Sequence, residues 1–370
     1  MCSLVRPWPM HPQPLPDELF SSWMARAAMS NGEKLSRFLR LTIPGFKSVT
    51  KSIDGFISPE MMKSVSDRMK TPFLKVYDTT LDSYAGELFE VTSDRSHHKH
   101  NILSTGETRR EHYFQQYCPL CLSEGIPYYR KIWRISFVTV CCKHGCTLQD
   151  RCSNCGLPIM VMNNKTHDKY GEYRGILTAC HECLCDLKGS LSEPAEREVI
   201  ADTSRYLSVL QSGFFLLSAD RWVYSFSFFS VLRHMIKLYV ERMNFPEFNG
   251  KVIDPDNFSL KIRYAAMVDM RGIFRNWPDN FIHYCQSRDI NYSQITPIEK
   301  TCNGIVPFWL SDAVKPHFYF PNIEPSQESV QEAVTYMRRH DMRINISSVN
   351  RLMGFRDSSV IKKIVKRVRR

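Results

Sequence analysis

Apolar residues recur at helical spacing in several separate stretches of this 370-residue chain. Phe20, Trp23, Met24 and Ala27 follow the i, i+3, i+4, i+7 rule that lines one face of an α-helix. Asp17 stands where a capping side chain would accept a free backbone N–H, and Gly32 follows as a stop signal. Leu35, Phe38 and Leu39 predict a second helix before Pro44, giving a helix–turn–helix outline. Between Thr203 and Met243 two more helical stripes are expected to face a core. One is Tyr206, Leu207, Leu210, Phe214 and Leu217; the other is Phe228, Val231, Leu232, Met235 and Tyr239. A further helical stretch runs from Leu260 to Phe274 and breaks at Trp277-Pro278. Residues 287–325, with prolines at 297, 307, 316, 321 and 325, predict a linker or irregular layer.

The end of the chain reads as three short helices. Val330, Ala333, Val334 and Met337 share one face of the first, which starts at Pro325-Ser326, and Ile346–Met353 forms the second, stopped by Gly354. Asp357 or Ser358 caps the third, in which Val360, Ile361, Ile364, Val365 and Val368 turn inward. Its other face carries Lys362, Lys363, Lys366, Arg367, Arg369 and Arg370. A short helix, a glycine turn and a basic amphipathic helix make the layout of a DNA-binding helix-turn-helix. Lys362, Lys363, Lys366 and Arg367 are the candidate phosphate contacts, with Arg351 beside them; Arg356 and Ser358, at the start of the last helix, are the candidate base-edge readers.

The middle of the chain has a different grammar. Tyr128, Tyr129, Trp133 and Ile135–Val140 predict strands, and around them lie four two-residue-gap pairs. These are Cys118-Pro-Leu-Cys121, Cys141-Cys-Lys-His144, Cys152-Ser-Asn-Cys155 and Cys180-His-Glu-Cys183. Each pair can converge on one ion, and Zn²⁺ takes four such donors in a tetrahedron. The loops of 19 residues (122–140) and 24 residues (156–179) suit zinc ribbons. Site one is therefore Cys118, Cys121, Cys141 and His144, and site two Cys152, Cys155, Cys180 and Cys183. Cys142, Cys146 and Cys185 lie close enough to compete. Each set fills all four positions, which points to structural zinc, two ions per chain, whereas a catalytic zinc keeps a place for water. The zinc-deaminase pattern is only half met at Cys180-His-Glu182, because Cys183 and Cys185 stand one residue apart. Disulfides fit poorly: the chain has 13 cysteines, and its proline-rich opening lacks a secretory apolar core. The expected place is the reducing cytoplasm, at the nucleoid.

Charge sharpens the picture at one point. Of the formal net charge of +11, residues 338–370 hold +9, from 11 Lys/Arg and two Asp. A polyanion is expected to meet the C-terminus. No apolar run approaches the length needed to span a membrane. Nor is there a convincing Asp/Glu/His cluster for a nuclease, since Asp150, Asp254 and Asp256 look isolated; His97, His98 and His100 read as part of a solvated loop. The expected fold class is mainly α with small zinc-ribbon β hairpins, in four segments: a helical region (1–110), a double zinc block (111–190), a second helical region (191–325) and a basic helix-turn-helix (326–370).

Three stretches resemble the TniQ family, the target-selection proteins of transposons. The first is Pro16-Asp-Glu-Leu-Phe-Ser-Ser-Trp-Met-Ala-Arg-Ala-Ala28 with Asn31-Gly32. The second runs from Tyr117-Cys-Pro-Leu-Cys-Leu122 through Ile132-Trp133-Arg134 to Val140-Cys-Cys-Lys-His-Gly145 and Cys152-Ser-Asn-Cys-Gly156. The third is Phe274-Arg-Asn-Trp-Pro-Asp-Asn-Phe281. The family pattern Cys-x-Lys-His maps onto Cys141 and His144. The resemblance implies no catalysis. It implies a homodimeric adaptor linking an AAA+ ATPase transposition regulator to a targeting element. That element is an RNA-guided Cascade complex, as in CRISPR-associated transposons, or a DNA attachment site bound directly. A zinc-containing transcription regulator is the reading from another class.

Overall fold

The first helix, α1 (Phe20–Ser30), buries the face expected of it: Phe20, Trp23, Met24 and Ala27 have no exposed surface. Its N-terminus is satisfied differently from the sequence expectation. Asp17 does not cap it, because Asp17 sits in a left-handed turn and its carboxylate accepts from Ile132 N at 3.4 Å. The orphan N–H groups of the first turn go to distant partners instead. Phe20 N donates to Thr79 O, and Ser21 N to Asp54 Oδ1 at 2.8 Å. Asp54 also accepts from Ser21 Oγ at 3.0 Å and pairs with the buried Arg134 at 3.0 Å. A carboxylate 33 residues away thus serves as the cap.

The computed structural model describes residues 6–46, 53–55, 57–90, 100–103, 114–163, 177–218, 221–245, 254–296, 306–318, 324–355 and 358–368. It divides into two compact units, Met1–Val314 and Lys315–Arg370. In the first unit α1 is followed by α2 (Leu35–Thr42), α3 (Pro59–Met69) and α4 (Phe73–Asp78). Next come α5 (Pro119–Ser123), the ribbon β1 (Val140–Cys141) and β2 (Cys146–Thr147), and α6 (Arg197–Ser212). A second ribbon, β3 (Phe214–Ser218) and β4 (Arg221–Tyr224), precedes α7 (Ser225–Met243), α8 (Leu260–Asp269), α9 (Asp279–Ser287), α10 (Tyr292–Ile295) and α11 (Phe308–Phe318), the last four residues of which fall in the second unit. The fold is thus mainly helical with two small antiparallel ribbons, the class read from the sequence.

Three expectations are corrected. The predicted strands over Tyr128–Val140 shrink to Val140 and Cys141; Lys131–Arg134 is a 3₁₀ turn, and Trp133, Ile135, Phe137 and Val138 are buried. Phe137 stacks on Phe229 with centroids 5.0 Å apart and meets Tyr206 edge-on. The metal-binding segment therefore draws its core from α6 and α7 and forms no long ribbon of its own. Phe214 and Leu217, expected on a helix, lie on β3. Gly213, with φ 79°, ends α6, and the alternating run behind it pairs Phe214 with Tyr224 and Leu216 with Trp222 on an exposed face. Finally, the proline-marked stretch 287–325 is not a bare linker, since α10 and α11 fall inside it and Trp309 is buried against Trp277, 4.9 Å away.

The second unit holds α12 (Gln327–Arg339), α13 (Ile346–Met353) and α14 (Ser359–Val368). Val330, Val334, Met337, Val349, Ile361, Ile364 and Val365 form one buried cluster, with Val360 and Val368 packed against it. Asn345 and Ser348 close a capping box at the start of α13, and Gly354, φ 77°, ends it in the left-handed region that only glycine enters at little cost.

Candidate metal centres

Local backbone geometry makes the knuckles. Cys118 is the N-cap of α5, its sulfur accepts from Cys121 N at 3.5 Å, and Pro119 occupies the first turn, where no N–H is needed. The other three knuckles share one turn. In each, the backbone N–H four residues after the first cysteine returns to that cysteine's carbonyl: Gly145 to Cys141 at 2.8 Å, Gly156 to Cys152 at 2.9 Å and Leu184 to Cys180 at 3.1 Å. The closing residues have φ of 63°, 71° and 62°. Two are glycines; Leu184 accepts the strained conformation.

The donors converge in two sets. Cys118, Cys121, Cys141 and His144 place their ligand atoms within 4.8 Å of one another, and so do Cys152, Cys155, Cys180 and Cys183. The Sγ–Sγ separations are 3.7 Å for Cys121–Cys141, 3.6 Å for Cys152–Cys183 and 3.7 Å for Cys155–Cys180. A tetrahedron of sulfurs about 2.3 Å from a central ion has edges of about 3.8 Å, so the spacing fits a metal and not a disulfide. His144 Nδ1 stands 3.4, 3.3 and 3.5 Å from the sulfurs of Cys118, Cys121 and Cys141, in keeping with the shorter metal–nitrogen distance. The two sets can hold two metal ions.

The competing cysteines separate. Cys142, the first residue of the turn after β1, directs its sulfur toward Ile200 O, 3.9 Å away. Cys185 lies against Asp186 O. Cys146, paired across the ribbon with Cys141, stays near: it is buried, and its sulfur is 3.7 Å from Cys118 Sγ.

The two sets interlock with each other and with the helices. Tyr117 and Gln149 exchange both backbone bonds, and Tyr117 Oη reaches Ser190 Oγ at 2.8 Å. The chain after site two returns along site one, where Thr147 N donates to Glu193 O and Ala195 N to Gly145 O. The acids that looked isolated have structural work. Asp150 accepts from Leu260 N at 3.0 Å, at the start of α8, while Asp254 and Asp256 both bind Arg233, at 2.6 and 3.0 Å. Burial raises Asp256 to about 6 despite Arg233. The fully buried Arg263 donates to Phe258 O, Ser136 O and Gln116 Oε1, and burial lowers it to about 10.

The nucleic-acid candidates divide in the same way. Lys362, Lys363, Lys366 and Arg367 are exposed together on α14, and Arg351 is exposed on α13. Ser358 is a correction: it is 1 % exposed and accepts from Ile361 N at 3.2 Å while its hydroxyl donates to Glu324, so it caps α14 and offers nothing to a base edge. Arg356, Arg369, Arg370, His97 and His98 lie outside the described residues.

Fold and donor sets together define a class: a helical protein with two donor sets, one of three cysteines and a histidine and one of four cysteines, that could each hold a metal ion, and a trihelical basic unit. Residues 9–148 match the family model described as TniQ, so this part of the chain carries a TniQ domain, of a family associated with transposition target selection. No curated protein matches the chain. The matched segment contains the whole of site one. It also contains the opening motif, whose residues fasten the proline-rich start: Glu18 binds Arg26 and Leu15 N, Trp23 Nε1 donates to Pro12 O, and Asn31 bonds both ways to Met10. Sequence reasoning missed Asp54 and Glu124. Only the partners that folding brings to them mark these two out.

Proposed function

We propose that the chain is a non-catalytic adaptor of transposition target selection, joining an AAA+ transposition regulator to an RNA-guided Cascade-type targeting complex. The TniQ match over residues 9–148 carries this reading. Zinc is the ion proposed for both centres, because a three-thiolate, one-imidazole set and a four-thiolate set suit it and leave no position for substrate water. Its role is to hold short knuckles that have little core of their own. The proposal places the protein in the cytoplasm at the nucleoid and as a homodimer; among the described residues no helix is long and apolar enough to cross a membrane. Co-purification with the candidate ATPase and with an RNA-guided effector complex tests it. Binding to neither returns the chain to a zinc-containing transcription regulator, whose mark would be binding at its own promoter.

A second reading, direct recognition of a DNA site, is favoured by one feature. The second unit has the helix order of a helix-turn-helix, and its last helix exposes Lys362, Lys363, Lys366 and Arg367. Duplex binding by the full chain, lost when these four are replaced, would support it.

A further inference from the structure

His144 is held from both sides. Its Nδ1 faces three sulfurs of site one, and its Nε2 lies 2.9 Å from Glu124 Oε1. The other oxygen of Glu124 is bound by Lys143 Nζ. Glu124 is the C-cap of α5, the helix that carries Cys118 and Cys121, whereas Lys143 and His144 belong to the β1–β2 turn. One carboxylate therefore joins the two knuckles on the side away from the ion. An imidazole that binds metal through Nδ1 keeps its proton on Nε2, where Glu124 is placed to accept it. The far side of the ring is open to water through its partner: Glu124 is 48 % exposed and His144 14 %.

We propose that Glu124 is a positioning residue of the first metal centre, fixing the tautomer and ring orientation in which His144 presents Nδ1, with Lys143 steadying the carboxylate. The inference rests on the metal reading above. Hydrogen-bond partners of this kind on a ligating histidine are worth roughly 10–100-fold in metal affinity.

The test is zinc release from the full-length protein to a chromophoric chelator, with total metal measured first. Wild type is expected to carry two ions. In Glu124→Ala the site-one ion transfers with an affinity about 10–100-fold weaker, and the site-two ion is unchanged. Glu124→Gln recovers most of the loss, since an amide oxygen accepts the same Nε2–H. In a His144→Cys background, Glu124→Ala loses most of its effect, because only the bridge to Lys143 then remains between the knuckles. Equal weakening of both ions, no change in Glu124→Ala, or an undiminished effect in the His144→Cys background overturns the assignment. Wild type without zinc overturns the metal reading and this one together.

Discussion

Replacing Arg134 by Met should destabilise the first unit severely, and by an amount that depends on pH. Arg134 and Asp54 are 1 % and 5 % exposed at their side chains and meet at 3.0 Å. Arg134 also donates to Leu103 O at 3.4 Å and lies over the Phe114 ring, 5.1 Å from its centroid. Removing one partner of such a pair leaves a buried charge without its counterion, a loss of about 3–5 kcal/mol. At about 2 °C per kcal/mol for a unit this size, the melting temperature should fall by roughly 6–10 °C. Burial already raises the Asp54 carboxyl, and Arg134 is the chief group pulling it back down. Without Arg134 it rises further, so folded Asp54 holds a proton at pH values where the unfolded chain has released it. Stability of the variant then falls as pH rises through that folded value, and the deficit against wild type shrinks as pH is lowered toward about 4. The double variant Asp54→Asn, Arg134→Met should recover much of the loss, because a neutral Asn can still accept from Ser21 N. Urea unfolding of zinc-saturated protein at several pH values, for all four members of the cycle, is the assay. An Arg134→Met variant within about 1 kcal/mol of wild type, a deficit flat with pH, or a double variant as poor as the summed singles would refute the reasoning.

Three further outcomes are expected. Cys146→Ser should still bind two metal ions per chain, while Cys152→Ser should bind one and become protease-sensitive; metal analysis after gel filtration reads both. Leu184→Gly should stabilise the protein by about 0.5–1 kcal/mol in a chelator-free melt. It relieves roughly 1–2 kcal/mol of left-handed strain at a half-exposed position and returns part of that as chain entropy. If Lys362, Lys363, Lys366 and Arg367 each neutralise a phosphate, binding to duplex DNA should show a log–log salt slope of about −3.6, flattened in the fourfold Ala variant with metal content intact. An unchanged slope in that variant, with loss of a protein partner, would make α14 a docking surface instead.

What the amino-acid sequence determined by itself is local. Helical faces such as Phe20, Trp23, Met24 and Ala27, and the inward residues of α14, follow from a 3.6-residue period that needs no partner to be read. The donor sets were legible for the same reason: a two-residue gap and a tight turn lie within five residues, and Gly145 and Gly156 mark two of the turns. Gly213 is not read as a stop, and the β3 strand behind it reads as helix, because Phe214 and Leu217 also satisfy a helical period. Tertiary structure decided what depends on partners distant in sequence. Asp54 became the cap of α1 in place of Asp17, Asp150, Asp254 and Asp256 became anchors for α8 and Arg233, and Ser358 was buried beneath Glu324. The expected ribbon strands gave way because the segment gains more by burying Trp133 and Ile135 and packing Phe137 into the aromatic core of α6 and α7 than from a ladder of its own. A polar side chain shows in the sequence what it can bond; which group it bonds is settled only when burial removes water as the alternative.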